Sequence, residues 1–282
     1  MSDPSPRAGG GRVRAALAEA ERRLAAIPGN PGQDAALLMA HALGVRVGDM
    51  HLRHLDNPAP PAFAPLLERR LAREPIAYIT GHAGFWTIEL EVGPGVLIPR
   101  ADSETLIEAA IAHFAGSAPA TILDLGTGPG TLLLAALAQW PGARGVGVDA
   151  SHQALAYAQR NAERLGLAAR AEFRIGDWGA GLGSRFDLVL CNPPYIKADA
   201  ALDADVAEWE PPGALFAGED GLDDYRVLAA QLPFLVAPGG IACLEIGQGQ
   251  EQAVRALFAG SPFTISSRAD LRDIVRCLTL RA

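Results

Sequence analysis

Cysteine is scarce in this chain, which has three such residues among 282. Cys191, Cys243 and Cys277 lie far apart and show no CxxC spacing, so neither a disulfide framework nor a zinc site is predicted. We therefore expect reduced thiols, no metal centre and a cytoplasmic protein. No run of eighteen apolar residues occurs either, and a membrane-spanning helix is not expected.

Positive charge is also in short supply. The chain carries 24 Lys and Arg residues against 32 Asp and Glu residues, a formal net charge of -8. Such a chain lacks the broad positive field that drives non-specific binding to nucleic acid. A local basic patch remains compatible with these numbers, so direct nucleic-acid binding is disfavoured and not excluded. The 49% hydrophobic content is ample for a large buried core.

The N-terminal quarter has a helical texture. We predict a disordered tail over residues 1–11, which end in three glycines. Residues 12–75 follow as four short amphipathic helices, because apolar residues recur there at helical spacing. Gly29-Asn30-Pro31 is predicted to end the first helix, and the second is expected to begin near Asp34. This small bundle carries no catalytic constellation, and we expect it to recognise a partner.

Residues 76–100 change in character and predict a β-hairpin linker. Apolar side chains alternate with polar ones from Trp86 to Val92, which is the period of a strand. Gly93-Pro94-Gly95 is predicted to be the turn, and Val96–Ile98 the second strand.

Strands and helices alternate over residues 101–282. Continuous apolar strands suit a sheet covered on both faces, and repeated βα units predict a doubly wound, mostly parallel α/β sheet. No helix is evident between the last two strands, which we expect to pair antiparallel. The predicted strands are 121–125, 145–149, 171–175, 186–191, 241–246, 263–267 and 274–280.

A glycine-rich loop follows the first of these strands and opens a helix. Glycines allow the backbone to approach a ligand closely. A carboxylate before such a loop, at Asp124, would repel a pyrophosphate, but it could order the ammonium group of a methionine moiety. Asp149, at the end of the next strand, could accept both hydroxyls of an adenosine ribose. The candidate cofactor-binding residues here are Asp124, Gly126, Thr127, Gly128, Pro129, Gly130 and Asp149.

Gly176-Asp177-Trp178 follows the third strand. Trp178 could pack on an adenine ring, with Asp177 near the amino group of that ring. A plain core tryptophan is an equal alternative at this point.

Asn192-Pro193-Pro194-Tyr195 follows the fourth strand, at the sheet edge where open α/β sheets bind ligands. Two prolines stiffen the backbone and remove two N–H donors. The side-chain oxygen of Asn192 and the carbonyl of Pro193 remain as acceptors that suit an –NH2 group, and Tyr195 could stack on the planar group that carries it. We predict Asn192, Pro193 and Tyr195 as catalytic, Asn192 to Tyr195 as substrate-binding, and Asn192 also as a cofactor contact. Positioned acceptors would aim the nitrogen lone pair at a sulfonium methyl group.

These motifs predict transfer of a methyl group from S-adenosylmethionine to a planar amide or amino nitrogen. The alternatives are an amino-group methyltransferase acting on nucleic acid, at adenine N6 or guanine N2, and a nucleotide-binding protein such as a dehydrogenase. The proline-rich motif has no role in hydride transfer, which disfavours the dehydrogenase.

Further segments resemble one family, the peptide chain release factor N5-glutamine methyltransferases. The matching segments are Arg73 to Gly81, Phe85-Trp86, Leu97 to Arg100, Asp102 to Glu104, Glu210-Pro211 and Ala214 to Leu222. The resemblance implies a Rossmann-like, seven-stranded class I methyltransferase domain behind a small helical bundle. It also implies that the substrate is the glutamine of the Gly-Gly-Gln motif in class 1 peptide chain release factors. The chain departs from the family pattern at Ala101, Ser103 and Pro129, and Pro129 removes one N–H from the glycine loop.

Overall fold

The computed structural model describes residues 11–282, so most of the predicted disordered tail lies outside the described residues. Two compact units divide the chain. The first runs up to Gly81 and also includes Ala204–Trp209, and the second holds His82–Asp203 and Glu210–Ala282. Among the described residues no helix is both long and apolar enough to cross a membrane, and no group of His, Cys, Asp or Glu is placed to hold a metal ion.

The first unit is helical. Its buried core includes Leu24, Leu38, Met39 and Met50. The helices are α1 (Val13–Leu24), α2 (Pro31–Leu43), α3 (Val47–Arg53), α4 (Phe63–Leu71), α5 (Ile76–Thr80) and α9 (Ala204–Ala207).

The start of α2 differs from the sequence prediction. Gly29-Asn30-Pro31 was expected only to end the first helix, but Pro31 is the first residue of α2. Asn30 caps that helix by accepting a hydrogen bond from Gln33 N at 3.1 Å. Proline suits this position because the first helical N–H needs no partner within the helix.

A buried cation joins the two segments of the first unit. Arg70 Nε donates to Asp34 Oδ2 at 2.8 Å, and Arg70 Nη1 donates to Asp205 Oδ2 at 2.7 Å. The Arg70 side chain is only 6% exposed, so both carboxylates are needed to compensate its desolvation. This cluster ties Asp205 to the helices of the first unit.

The second unit contains a seven-stranded sheet in the order β5-β4-β3-β6-β7-β9-β8. The first five strands are parallel. Strand β9 pairs antiparallel with both β7 and β8, which confirms the expected pairing of the last two strands. The sheet strands are β3 (Thr121–Leu125), β4 (Arg144–Asp149), β5 (Ala171–Ile175), β6 (Phe186–Cys191), β7 (Val236–Glu245), β8 (Thr264–Ala269) and β9 (Val275–Arg281).

Helices of this unit alternate with the strands, as the sequence predicts. Two of these helices, Asp223–Leu235 and Glu251–Leu257, contribute Tyr225, Leu228 and Val254 to the core beside the sheet. The helices are α6 (Glu104–His113), α7 (Thr131–Gln139), α8 (His152–Arg164), α10 (Asp223–Leu235) and α11 (Glu251–Leu257), with short 3-10 helices at Ala101–Ser103 and Pro212–Ala214.

The predicted hairpin linker is wrong in its details. Residues 76–80 form α5, and the hairpin consists of β1 (His82–Phe85) paired antiparallel with β2 (Ile88–Glu91). The chain reverses at Trp86, which has φ 53° and donates its N–H to Glu104 Oε1 at 2.8 Å. Trp86 therefore belongs to the turn, although its apolar character fits the strand period.

Val96–Ile98, predicted as the second hairpin strand, is not a strand. The N–H of Ile98 donates to the Glu210 carboxylate at 3.1 Å, so it does not join a ladder. Pro99 has no N–H to donate. The bond to Glu210 and the missing donor at Pro99 keep this segment out of the hairpin ladder.

Candidate active site

A cleft of about 400 Å³ opens at the carboxyl ends of the parallel strands. This volume lies in the usual range for sites that bind small molecules, roughly 300 to 1,000 Å³. The cleft brings together candidates from four separate motifs, since its lining includes Gly126, Gly128, Asp149, Asp177, Trp178, Asn192 and Pro194. A smaller cavity of about 40 Å³ is lined in part by Asp124, Thr127, Gly128, Pro129 and Asn192.

The N–H groups of the glycine loop are committed to the protein. Gly126 N and Thr127 N both donate to the Val148 carbonyl, at 2.9 and 3.0 Å. Gly128 N donates to Asp149 Oδ2 at 2.8 Å, and Gly130 N donates to the Thr127 carbonyl at 2.9 Å. Pro129 has no N–H, so the loop presents no free set of donors to a phosphate. This geometry disfavours the pyrophosphate cradle of dinucleotide enzymes.

Two glycines of this loop are needed for its shape. Gly126 has φ 70°, and a Cβ there would lie 3.2 Å from the Trp178 ring. Gly130 has φ 88°, and a Cβ there would lie 2.7 Å from Leu134 Cδ1. Positive φ is a conformation that other residues rarely adopt. The glycines therefore allow the loop, Trp178 and α7 to pack closely.

Asp149 is held in one orientation. Its Oδ2 accepts from Gly128 N and its Oδ1 accepts from Ser151 N, each at 2.8 Å. Each carboxylate oxygen has a further lone pair available. Asp149 lines the cleft, and a pair of fixed acceptors there suits a ribose diol.

Asp124 is almost fully buried, with 1% of its surface exposed. Its Oδ2 accepts from Thr127 Oγ1 at 2.6 Å and from Leu133 N at 3.1 Å, while its Oδ1 has no hydrogen-bond partner. Burial raises the pKa of Asp124 to about 7. A buried oxygen without a partner beside the small cavity fits a ligand ammonium group, since an opposite charge would favour the ionised carboxylate.

Trp178 forms one wall of the cleft. It lies at φ 51°, against Gly126, and its side chain donates a hydrogen bond to Asp224 from α10. Burial raises the pKa of Asp224. Asp177 and Asp224 both line the cleft. Trp178 is therefore part of the pocket surface as well as packed against the core, which supports the adenine-binding interpretation over a plain core tryptophan.

The four residues of the Asn192 to Tyr195 motif do not all face the cleft. Asn192 lines both the cleft and the small cavity, and Pro194 lines the cleft. Pro193 is buried. Tyr195 is directed toward Glu245 of β7, with 3.4 Å between its hydroxyl and Glu245 Oε1. Burial raises the pKa of Tyr195 to about 12.

Several residues of the site were not predicted as site residues from the sequence. Gly95, Val96 and Leu97 form a wall of the cleft. Glu210 fixes that segment through Ile98 N and through Arg100 Nη2, the latter at 2.5 Å. Glu210 is 4% exposed. Glu210-Pro211 contributes to the family resemblance, but the bonding role of Glu210 was not predicted, because its partners lie more than a hundred residues away.

Ser103 and Glu245 were also missed as site residues. Asn192 Nδ2 donates to Ser103 Oγ at 3.1 Å, and Ser103 Oγ donates to Glu245 Oε2 at 2.5 Å. Glu245 interrupts an otherwise apolar strand, which was the one available signal in the sequence. Burial raises the pKa of Glu245 to about 7.

The seven-stranded sheet with its antiparallel β9, the glycine loop and the polar motif after β6 define a class I methyltransferase domain. A methyltransferase domain family matches residues 117–215, and the PrmC N-terminal domain family matches residues 15–81. The chain is 47% identical over 258 residues to the release factor glutamine methyltransferase of Rhodospirillum rubrum, covering 89% of this chain and 79% of that protein. It is 44% identical to the protein of that name from Caulobacter vibrioides, covering 83% of each. The chain belongs to the release factor glutamine methyltransferase family.

Solved structures support the fold. The methyltransferase from Pyrococcus furiosus superposes with a TM-score of 0.52 at 15% identity, covering 77% of this chain and 98% of that one. Sequence similarity at this level is low, so the likeness concerns the architecture alone.

Proposed function

We propose that this protein transfers a methyl group from S-adenosylmethionine to the side-chain amide nitrogen, N5, of the glutamine in the Gly-Gly-Gln motif of class 1 peptide chain release factors. The observation that carries the proposal is the placement of Asn192. Its Nδ2 is tied to Ser103, so its Oδ1 remains available at the cleft as an acceptor for a substrate –NH2 group. The names of the relatives favour a release factor over the nucleic-acid alternative.

The residues of the cleft fit this cofactor. Asp149 would accept the ribose hydroxyls, Trp178 would pack on the adenine with Asp177 near its amino group, and Asp124 would neutralise the ammonium group. The cofactor supplies an electrophilic methyl group bound to a positively charged sulfur.

The chain's own contribution to catalysis is orientation. An amide nitrogen is a poor nucleophile because its lone pair is delocalised into the carbonyl group. Asn192 Oδ1 and the Pro193 carbonyl would hold the two N–H bonds and so direct the nitrogen toward the methyl group. The same acceptors would stabilise the positive charge that develops on nitrogen before it loses a proton.

We further propose that the helical unit, predicted as residues 12–75 and extending in the structure to Gly81, recognises the release factor. Methyl transfer uses residues of the second unit, which leaves the helices free for a partner. Contacts away from the reacting glutamine would fix the reacting group and so favour the intact protein over small substrates.

The test compares an intact release factor, a short Gly-Gly-Gln peptide and free glutamine as substrates. We expect turnover to fall in that order, with the methyl group on the amide nitrogen of the motif glutamine by tandem mass spectrometry. Equal turnover of all three, or methylation of another residue, would contradict the proposal. Methylation of RNA or DNA by the same preparation would favour the alternative.

A further inference from the structure

Glu245 is a buried carboxylate that the proposed reaction does not use. It is 1% exposed in an apolar strand, and the hydroxyl of Ser103, 2% exposed, donates to it at 2.5 Å. Ser103 in turn accepts from Asn192 Nδ2 at 3.1 Å. The three residues come from β7, from the 3-10 helix before α6 and from the segment after β6. A continuous hydrogen-bonded chain therefore leads from the core to the amide of Asn192.

We propose that Glu245 is a positioning residue, which acts through Ser103 to keep Asn192 Oδ1 directed at the substrate nitrogen. This inference rests on the proposed function, because it concerns the orientation of the group that receives the substrate amide.

The direction of the hydrogen bonds follows from the inventory of donors. The Ser103 hydroxyl has one proton and two possible acceptors, Glu245 Oε2 and Asn192 Oδ1. Above its raised pKa of about 7 the Glu245 carboxylate is ionised and is the stronger acceptor, so at such pH the proton points to Glu245. The lone pairs of Ser103 Oγ then face Asn192 and select its –NH2 group. As a result the side-chain oxygen of Asn192 faces the site.

Glu245 itself is well restrained. Its second oxygen lies 3.4 Å from the Tyr195 hydroxyl, and its main-chain carbonyl accepts from the Tyr225 hydroxyl at 2.8 Å. The positive charge of Arg276 lies near enough to counter part of the effect of burial on the Glu245 pKa. These contacts give the carboxylate a fixed position from which it can orient Ser103.

Loss of the acceptor at Glu245 should reverse the direction of the hydrogen bond between Ser103 and Asn192. In Glu245→Met the side chain keeps its approximate length but accepts no strong hydrogen bond, so the Ser103 proton turns to Asn192 Oδ1. The Asn192 –NH2 group would then face the substrate –NH2 group, donor against donor. Glu245→Gln can still offer its amide oxygen to Ser103, and it should preserve the orientation.

The test measures kcat and KM on an intact release factor, with S-adenosylmethionine affinity measured separately by calorimetry. We expect Glu245→Met to lower kcat by about tenfold to a hundredfold, the scale of a misplaced catalytic contact, with little change in cofactor affinity. Glu245→Gln should stay within about threefold of wild type, since the acceptor is retained. The matched control is Glu108→Met, because Glu108 pairs with Arg268 outside the site and its loss should leave kcat unchanged.

Ser103 provides a second route if Glu245→Met does not fold. Ser103→Ala removes the intermediate hydroxyl and should also lower kcat. Ser103→Thr keeps the hydroxyl, so its kcat should stay near the wild-type value. A double-mutant cycle distinguishes positioning from a structural effect, because Glu245→Met should add nothing in an Asn192→Ala background.

Wild-type kcat in Glu245→Met, equal losses in Glu245→Met and Glu245→Gln, or multiplicative losses with Asn192→Ala would overturn the inference. Its failure is distinct from a failure of the proposed function. Wild-type turnover of the release factor tests the function, while the ratio of variant to wild-type rate tests Glu245. NMR of the Asn192 side-chain amide, measured without substrate, should show its –NH2 group protected in the wild type and altered in Glu245→Met.

Discussion

Replacement of Asp124 by asparagine should stabilise the methyltransferase unit, and the gain should grow with pH. Asp124 is buried, and both of its hydrogen bonds, from Thr127 and Leu133, reach the same oxygen. The amide oxygen of asparagine can accept both bonds. The variant therefore keeps these two bonds and cannot ionise, and any cost of burying its –NH2 group in place of the unpartnered Oδ1 is independent of pH.

The magnitude follows from the shift of the Asp124 pKa, from 3.8 to about 7. In the unfolded chain the carboxyl group loses its proton near pH 3.8, whereas in the folded protein it holds the proton until about pH 7. The folded state binds more protons in this window, so its stability falls as pH rises and the loss is complete above the folded pKa. A difference of roughly three pKa units corresponds to a ceiling of about 4 kcal/mol. Glu245 has a similarly raised pKa, but it is present in both proteins and cancels in the comparison.

Urea denaturation of wild type and Asp124→Asn, followed by tryptophan fluorescence between about pH 5 and pH 8.5, measures this difference. Trp86, Trp140 and Trp178 all lie in the second unit and report on its unfolding. We expect roughly a third of the pH-dependent gain at the acidic end, which lies about one unit above the unfolded pKa of 3.8, and all of it at the alkaline end. A difference that stays constant with pH would refute the argument, because it would show that Asp124 does not titrate differently in the two states.

Two further predictions concern the cofactor and the reaction. Asp149→Ala should weaken S-adenosylmethionine binding by about 1 to 3 kcal/mol, the scale for a lost charged hydrogen bond, and neither protein should bind nicotinamide dinucleotides; unchanged affinity by calorimetry would remove Asp149 from the site. Asn192→Ala should keep the fold by circular dichroism but lower kcat about a hundredfold or more, as expected for deletion of one preorganised polar contact in a transition state; turnover near wild type would contradict the orientation argument.

Much of the fold could be predicted because its signals are local. Apolar strands that alternate with amphipathic helices along the chain predict the doubly wound sheet. The predicted limits of the strands Thr121–Leu125 and Phe186–Cys191 agree with the structure. Parallel strands place their carboxyl ends at one edge, so motifs that follow different strands were expected to meet. The cleft does bring together the glycine loop, Asp149, Trp178 and Asn192.

The errors in the predicted hairpin occurred where a side chain accepts a backbone N–H and so determines the backbone conformation. Trp86 fits a strand by its apolar character, but the Glu104 carboxylate takes its N–H and the chain turns there. Ile98 likewise gives its N–H to Glu210. Neither acceptor is near in sequence, so hydrophobic periodicity alone could not detect these bonds.

The amino-acid sequence by itself determined the class of fold, the order of its elements and the motifs at the edge of the sheet, because these depend on the spacing of apolar, glycine and proline residues along the chain. Only the tertiary structure decided how the polar groups are paired. Ser103 and Glu245 are 142 residues apart and meet at 2.5 Å, and Asp205 joins the helical unit through Arg70, 135 residues away. Hydrogen bonds are short and directional, so such pairs are set by the final packing of distant segments and leave no periodic trace in the sequence.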